Sequence, residues 1–356
     1  MNIINIDSYF RPFRGYDYEE RLIRALGSSL ILATVRTEAE IIRAAAGCEA
    51  VLVEHANTPV SAAVMDGLRD CGLIVKYAVG LDNIDVAAAT ERGIMVCHAP
   101  YYCIEEVSDH TVSLILSLAR RVVQFADHVR SGGWADLKID PPLRRTRNRI
   151  LGLLGFGRIA RLVAQKMSGF GVTMVTYDPV IDQPTAQAHG ATLVSMEKLF
   201  AESDFISIHT PLTKETHHLV GAKILGLMKP TSFLVNTSRG PVIDEAALVA
   251  VLRDKRIAGA ALDVTEIEPL PASSPLRALD NVILTPHHAA NSVESLDALR
   301  YTGAASIEAY CKGYRPEFVA NPQVQPNGNL QPWEEFAARE NRLARLNAAG
   351  QLVDPF

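Results

Sequence analysis

Short apolar runs and longer stretches with apolar residues at helical spacing alternate along almost the whole chain. Ile3–Ile6 is a short apolar run, and Asp17–Leu26 follows at helical spacing. Leu30–Thr34 reads as a strand and Glu38–Ala46 as a helix, and Ala50–Val53, Leu73–Ala78 and Ile94–Cys97 are further strands with helical stretches between them. Continuous apolar runs separated by amphipathic segments predict a parallel sheet covered on both faces. A second alternating series starts at Arg149, with strands predicted at Ile150–Leu154, Thr173–Tyr177, Phe205–His209, Phe233–Asn236, Gly259–Leu262 and Val282–Leu284. Between the two series, Glu105–Arg130 reads as one long helix. It is apolar on most of its faces (Val107, Leu114, Ile115, Leu118, Val122, Val123), which predicts burial between domains or between subunits. Ser131-Gly132-Gly133 ends it, and Trp134–Arg149 reads as an irregular arm. Val293–Tyr310 is a final long helix, Gly313–Gln331 a loose stretch, and Pro332–Ala349 one more amphipathic helix with Trp333, Phe336 and Leu343 on a face.

Composition narrows the class. A chain of 356 residues suits two domains rather than one core. Apolar residues at 48% and charged residues at 21% argue against wholesale disorder, and a formal net charge of −5 argues against a nucleic-acid groove as the main function. No apolar run approaches the roughly 18 residues a membrane span needs, and the opening residues lack the apolar stretch of a secretory signal. The five cysteines are odd in number and their spacing is neither CxxC nor metal-like, so reduced thiols in a cytoplasmic protein, with no metal, is the expectation.

The sharpest local signal is Gly155-x-Gly157-x-x-Ala160, which follows an apolar strand and opens a helix at Arg158. The next strand ends at Asp178, about twenty residues on, as a dinucleotide fingerprint requires. Gly155 allows the tight turn, Gly157 lets the backbone approach a pyrophosphate, and Ala160 lets helix and strand pack closely. The helix N-terminus offers N–H groups to the phosphates. Asp178 is placed to accept hydrogen bonds from the ribose hydroxyls and would repel a 2′-phosphate, so NAD is expected over NADP.

Three more segments each place polar residues just after an apolar strand, where ligands of open α/β sheets bind. Leu234–Gly240 presents Arg239; Ala260–Pro269 presents Asp263, Glu266 and Glu268; Val282–His288 presents His287 and His288. Singly, each has a plainer reading: a surface ion pair for Arg239, a solvated loop for Glu266 and Glu268, a cap or core residue for His287. Together, an Arg, a carboxylate and a His are the parts needed to reduce a 2-keto acid. A guanidinium clamps a carboxylate bidentately. An imidazole trades a proton with the carbonyl or hydroxyl oxygen, and a carboxylate on its other nitrogen fixes the tautomer.

NTSRG, ALDVTEIEP and NVILTPH, in this order behind GLLGFGRIA, resemble the D-isomer-specific 2-hydroxyacid dehydrogenases. The likeness extends to Tyr77–Val96, Glu105–Arg121 and Ser203–Val220, and so runs from about residue 50 to 312. Within the family, the EEVSDH helix start and the LDNID loop look nearest the branch that holds the C-terminal-binding-protein corepressors and their bacterial relatives. The resemblance implies two Rossmann-like or flavodoxin-like α/β domains with parallel sheets, the cofactor domain inserted into the substrate domain. Residues 1–100 and 289–356 would form the substrate domain, residues 101–288 the NAD-binding domain, and the helix at 105–130 the core of a homodimer. It implies Arg239 as the substrate-binding Arg, Glu268 rather than Glu266 as the catalytic Glu, and His287 rather than His288 as the proton donor. Val79 and Gly80 would hold the substrate carboxylate through backbone N–H groups. Cofactor contacts would come from Gly155, Gly157, Arg158, Ile159, Asp178, His209, Thr210, Pro211, Thr216 and Thr237, from Asp263 near the nicotinamide amide, and from Thr111 near the diphosphate.

Departures from the pattern leave rivals open. The position after TPH that carries an aromatic in the corepressor branch is Ala290, followed by Asn291. Arg11 and Arg14 read as surface residues, with reach toward an acidic distal group of the substrate as the alternative. An NAD-sensing scaffold is weakened by the complete catalytic set. Formate enzymes of the family place Gln at the position of Glu268, whereas phosphite oxidation would keep the same trio.

Overall fold

The computed structural model describes residues 1–7, 16–54, 58–326 and 328–339. In chain order the described elements are β1 (Asn2–Asn5), α1 (Asp17–Ala25), β2 (Ser29–Leu32), α2 (Glu38–Ala44), β3 (Ala50–Val53), α3 (Ala62–Gly67), β4 (Leu73–Lys76), α4 (Val86–Glu91) and β5 (Met95–Cys97). Then come α5 (Ile104–Arg120), α6 (Val122–Arg130), β6 (Ile150–Leu154), α7 (Arg158–Ser168), β7 (Thr173–Tyr177), α8 (Gln183–Ala188), β8 (Ala191–Leu193), α9 (Met196–Glu202), β9 (Phe205–Ile208) and α10 (Ala222–Leu225). β10 (Phe233–Asn236), α11 (Glu245–Arg253), β11 (Gly259–Leu262), β12 (Val282–Leu284), α12 (Val293–Cys311) and α13 (Trp333–Arg339) complete the order. The chain divides into two compact units, one of Met1–Tyr102 with Ser292–Phe356 and one of Cys103–Asn291 inserted into it.

The outer unit is built on a parallel sheet in the order β2-β1-β3-β4-β5. β3 and β4 are buried along their whole length, in keeping with an apolar sequence broken only by the last residue of β4, the buried Lys76, whose Nζ donates to the Glu54 carbonyl at 3.2 Å. The LDNID segment turns into α4 through Asp85, whose carboxylate accepts from Ala88 N–H as an N-cap. The returning α12 packs against β4 and α1. Gly303 permits the approach, since a Cβ there would lie 2.4 Å from the Tyr77 ring. Arg300 of α12 forms a two-pronged ion pair with Glu19 of α1, at 3.0 and 2.6 Å. Beyond α12, the chain covers the β5 edge: Val319 bridges Cys97 antiparallel, and the buried Asn321 side chain accepts from Val96 N–H and donates to the Ile94 carbonyl. An edge strand thereby loses its open hydrogen-bonding row. The predicted tail helix is described over Trp333–Arg339, where Phe336 is buried against Tyr314 and Ala309 of the same unit. Arg11, Arg14 and Leu343 lie outside the described residues.

The inserted unit carries a parallel sheet in the order β12-β11-β10-β9-β6-β7-β8. Strand order reverses between β6 and β9, so a crevice opens beyond their carboxyl ends. One sheet face packs on α5 and α7 through Leu114, Ile115, Leu118, Val163 and Met167. The other is covered by a cluster that includes Leu199, Phe200, Leu248 and Leu252.

Two expectations need correction. The stretch read as one helix over 105–130 is two, broken at Arg121, which takes a left-handed φ of 54°. The physical reason is the side chain: Arg121 is buried, donates from Nη1 to the Ala258 carbonyl at 3.3 Å, and lies 4.7 Å over the Phe233 ring. Turning the helix at that residue seats the guanidinium on the ring and gives Nη1 an acceptor, although Nη2 is buried without a partner, whereas α6 buries none of its own side chains within the chain. The other correction is β8, a three-residue edge strand that the apolar pattern did not mark.

Candidate active site

The cofactor end of the site starts at β6. Gly155 has φ +85°, and a Cβ on it would sit 3.0 to 3.1 Å from the backbone of His209 and Thr210, so both conformation and space demand glycine. A Cβ on Gly157 would meet nothing within 4 Å, which leaves an open cradle at the start of α7, and no side chain caps that helix. An 11-residue helix with an uncapped first turn over a glycine cradle fits a pyrophosphate. Arg158 is exposed and Ile159 partly so beside it. Asp178 follows β7, and its carboxylate accepts from Phe156 N–H at 2.8 Å and Val180 N–H at 2.9 Å, which locks it against the glycine turn.

On the other side of the crevice, His209 follows β9. Its N–H donates to the Leu154 carbonyl, and its Nε2 lies 2.9 Å from Ser207 Oγ. Burial pushes its imidazole down to about 4, so this histidine is neutral at physiological pH. Thr210 donates to the Leu154 carbonyl and is partly exposed, and Pro211 is exposed. Thr216 donates to the Pro211 carbonyl and accepts from Thr213 N–H, and so shapes that loop. Thr111 is entirely buried: its hydroxyl donates to the Val107 carbonyl and lies 2.8 Å from Thr237 Oγ1. Thr111 thereby braces Thr237 at the end of β10.

The catalytic candidates of this unit come together at the ends of β10, β11 and β12. Asn236, fully buried, accepts from Ser238 N–H and Oγ and donates to the Arg239 carbonyl, which builds the NTSRG turn. Gly240 lets that turn abut the next loop; a Cβ there would fall 1.9 Å from the Thr265 carbonyl oxygen. Asp263 is buried with both oxygens engaged: Oδ1 accepts from Thr285 Oγ1 at 2.6 Å and His288 N–H at 3.0 Å, Oδ2 from Ala289 N–H at 2.9 Å. These bonds tie down the TPHH turn, in which His287 is held at φ 55° with its N–H on the Asp263 carbonyl. That is a strained conformation for a non-glycine residue, and it aims the ring.

His287 Nδ1 lies 2.7 Å from Glu268 Oε2, and Glu268 Oε1 accepts from Thr265 N–H at 3.0 Å. Burial pushes the Glu268 carboxyl up. The bonds from His287 and Thr265, with the charges of His287 and Arg239, outweigh it and hold the group below its usual range. Glu266 points elsewhere, to His218, and His288 is exposed. Val79 and Gly80 belong to the outer unit, in the loop after β4, where the Val79 carbonyl is bonded to His98 Nδ1 at 2.9 Å. Sequence reasoning passed over His98, and also His110, whose Nε2 reaches Thr285 Oγ1 at 3.1 Å and Asp263 Oδ1 at 3.6 Å. His98 directly follows β5 in the outer sheet, away from the strand ends that carry the Arg, Glu and His motifs, and His110 lies within α5.

A glycine cradle on a switch-point sheet with an Arg, a Glu–His pair and an acid-terminated β7 defines an NAD-dependent oxidoreductase. The profile of the D-isomer specific 2-hydroxyacid dehydrogenase NAD-binding domain matches residues 112–289. The chain is 40% identical over 287 residues to a glyoxylate reductase of Korarchaeum cryptofilum, covering 80% of this chain and 86% of that one. It is 37% identical over 306 residues to a D-3-phosphoglycerate dehydrogenase of Methanocaldococcus jannaschii, covering 85% of this chain and 58% of the longer relative. The crystal structure of a D-lactate dehydrogenase from Aquifex aeolicus with NAD and lactic acid superposes with a TM-score of 0.78 at 29% identity, over 88% of this chain and 96% of that one. The chain belongs to the D-isomer-specific 2-hydroxyacid dehydrogenase family and is an oxidoreductase acting on a CH–OH group. Its inserted unit holds the NAD-binding fold.

Proposed function

We propose that the protein works as a reductase of a small 2-keto acid, with His287 as proton donor, Glu268 as its partner and Arg239 as the clamp on the substrate carboxylate. The observation that carries this reading is the 2.7 Å contact of His287 Nδ1 with Glu268. With Nδ1 so engaged, Nε2 is the nitrogen left to face the substrate oxygen. Glu268, ionised and held by Thr265 N–H, offsets the positive charge of the imidazolium before the proton leaves it. Arg239 donates from Nη1 to the Ser238 carbonyl, which orients a guanidinium suited to a planar carboxylate. NADH, when bound, supplies the hydride. As the keto carbon is reduced, Nε2 gives its proton to the oxygen, and in the oxidative direction it takes that proton back.

The test is a panel of 2-keto acids, glyoxylate and pyruvate among them, assayed with NADH and with NADPH. His287→Ala is expected to lower kcat/KM by about 10²- to 10⁴-fold, the usual contribution of a general acid. Near-normal turnover in that variant sinks the assignment, and NADH-driven assembly without turnover on any keto acid would favour a sensing scaffold.

We place the protein in the cytoplasm as a homodimer on two further supports. All five cysteines are free thiols, four of them buried. On α6, Val122 and Val129 are 52% and 46% exposed, a bare apolar stripe suited to a second copy of the chain. Among the described residues, no helix is long and apolar enough to cross a membrane.

A further inference from the structure

Away from the His287–Glu268 pair, the inserted unit gathers a second set of metal-ligating side chains. His217 and His218 follow the threonine turn after β9, and Glu266 lies in the loop after β11. One ligand atom from each falls within 4.8 Å of the others. Side chains of consecutive residues usually diverge. Here the left-handed φ of 53° at His218 turns the chain so that the two imidazoles stack, with centroids 4.0 Å apart and planes 30° from parallel. His218 Nε2 already lies 2.6 Å from Glu266 Oε1.

We propose that His217, His218 and Glu266 form a binding site for a divalent transition metal ion of the zinc class. Two imidazoles and one carboxylate suit Zn²⁺, Co²⁺, Ni²⁺ or Cu²⁺ and not Mg²⁺ or Ca²⁺, which take oxygen donors. Three protein ligands leave a position for water, an open site rather than a closed structural one. Ligands at about 2.0–2.2 Å from a metal stand roughly 3 to 3.5 Å apart. Both histidines are exposed, so their rings are free to swing that last fraction inward.

The backbones that carry the ligands are anchored. His218 N–H donates to the Pro241 carbonyl at 2.8 Å, and His217 N–H to the Thr213 carbonyl at 3.0 Å. Glu266 is held by Glu245 from both ends: its Oε2 accepts from Glu245 N–H at 3.3 Å, and its own N–H donates to Glu245 Oε2 at 2.9 Å. Such outer contacts orient a ligand before the metal arrives. An ion here cross-links the turn after β9 to the loop in which Glu268 sits two residues beyond Glu266, and so stiffens the segment that holds the proposed proton donor's partner.

The test uses the full chain without a histidine tag, stripped with EDTA and dialysed. It is titrated with ZnCl₂ by calorimetry and with CoCl₂ by visible absorption. One ion per chain is expected, with d–d bands of nitrogen and oxygen coordination for Co²⁺. His217→Gln and Glu266→Gln should each weaken binding by about 10- to 100-fold or more, since losing even an outer partner of a ligand costs that much. A His287→Asn, His288→Gln double variant should bind as the parent does. Absence of saturable binding, unchanged affinity in His217→Gln, or loss of binding in the His287/His288 variant would each overturn the proposal. His217→Gln keeps the test clear of folding, because its side chain is exposed and the His218–Glu266 ion pair survives it.

Discussion

Two adjacent histidines, His287 and His288, differ only in what the backbone does with them. The carbonyl and carboxylate of Asp263 hold the turn so that His287 meets Glu268 while His288 contributes only its N–H. Residues of this kind were legible in the sequence because their chemistry stands at the ends of apolar strands. The bracing roles of Asp263 and Thr111 were not, because a buried hydroxyl or carboxylate looks the same in sequence whether it touches a ligand or a neighbour. Nor was the polar cluster around Glu54, assembled from Asn5, Asp7, Tyr16 and Glu19 by the pairing of β1 with β3 and by α1. Burial raises the Glu54 carboxyl to about 7, helped by the charges of Asp7 and Glu19 and opposed by bonds from Tyr16 and Asn5. An unfolded Glu titrates near 4.3, so between that value and about 7 the folded chain binds more protons, and stability falls as pH rises through this window. Glu54→Gln removes the penalty while keeping an acceptor for Asn5. Its gain in Tm over the parent should therefore be larger at pH 8 than at pH 5, by a free energy on the order of 1–3 kcal/mol. A gain that does not change with pH would contradict this.

At the level of elements, the alternating pattern marked strands well where both faces are buried. It failed at β8, whose three residues sit at the sheet edge with one buried position, too short to show a period. It also failed at residue 121. Nothing in an apolar periodicity announces that a helix turns left-handed to seat one guanidinium on Phe233. The two contributions at that point separate by mutation. Arg121→Ala loses the ring contact and the bond to Ala258 and keeps the backbone strain, and should cost about 1–3 kcal/mol of stability. Arg121→Gly relieves the strain and should lie closer to the parent, despite its smaller side chain. Urea unfolding of both variants measures the order, and a less stable glycine variant would show that the left-handed turn is not what limits this site.

For the whole molecule, the exposed valines of α6 give the proposed homodimer a measurable consequence. Light scattering after size exclusion should return about twice the 38.8 kDa of one chain. Val122→Asp with Val129→Asp should shift the population toward the single-chain mass. A parent that runs at the single-chain mass at high concentration removes the proposal. The insertion of one unit into the other was read from resemblance to a family rather than from periodicity, since a parallel sheet interrupted and resumed later leaves no local mark on its strands.

That interruption has a bearing on synthesis. A ribosome releases residues 1–102 first, yet the partners that cover them, α12 against β4 and Asn321 along the β5 rim, lie beyond residue 291. The outer unit is thus begun first and completed last. While the whole inserted unit emerges, its early half waits in the nascent chain with a bare rim and an unclothed face.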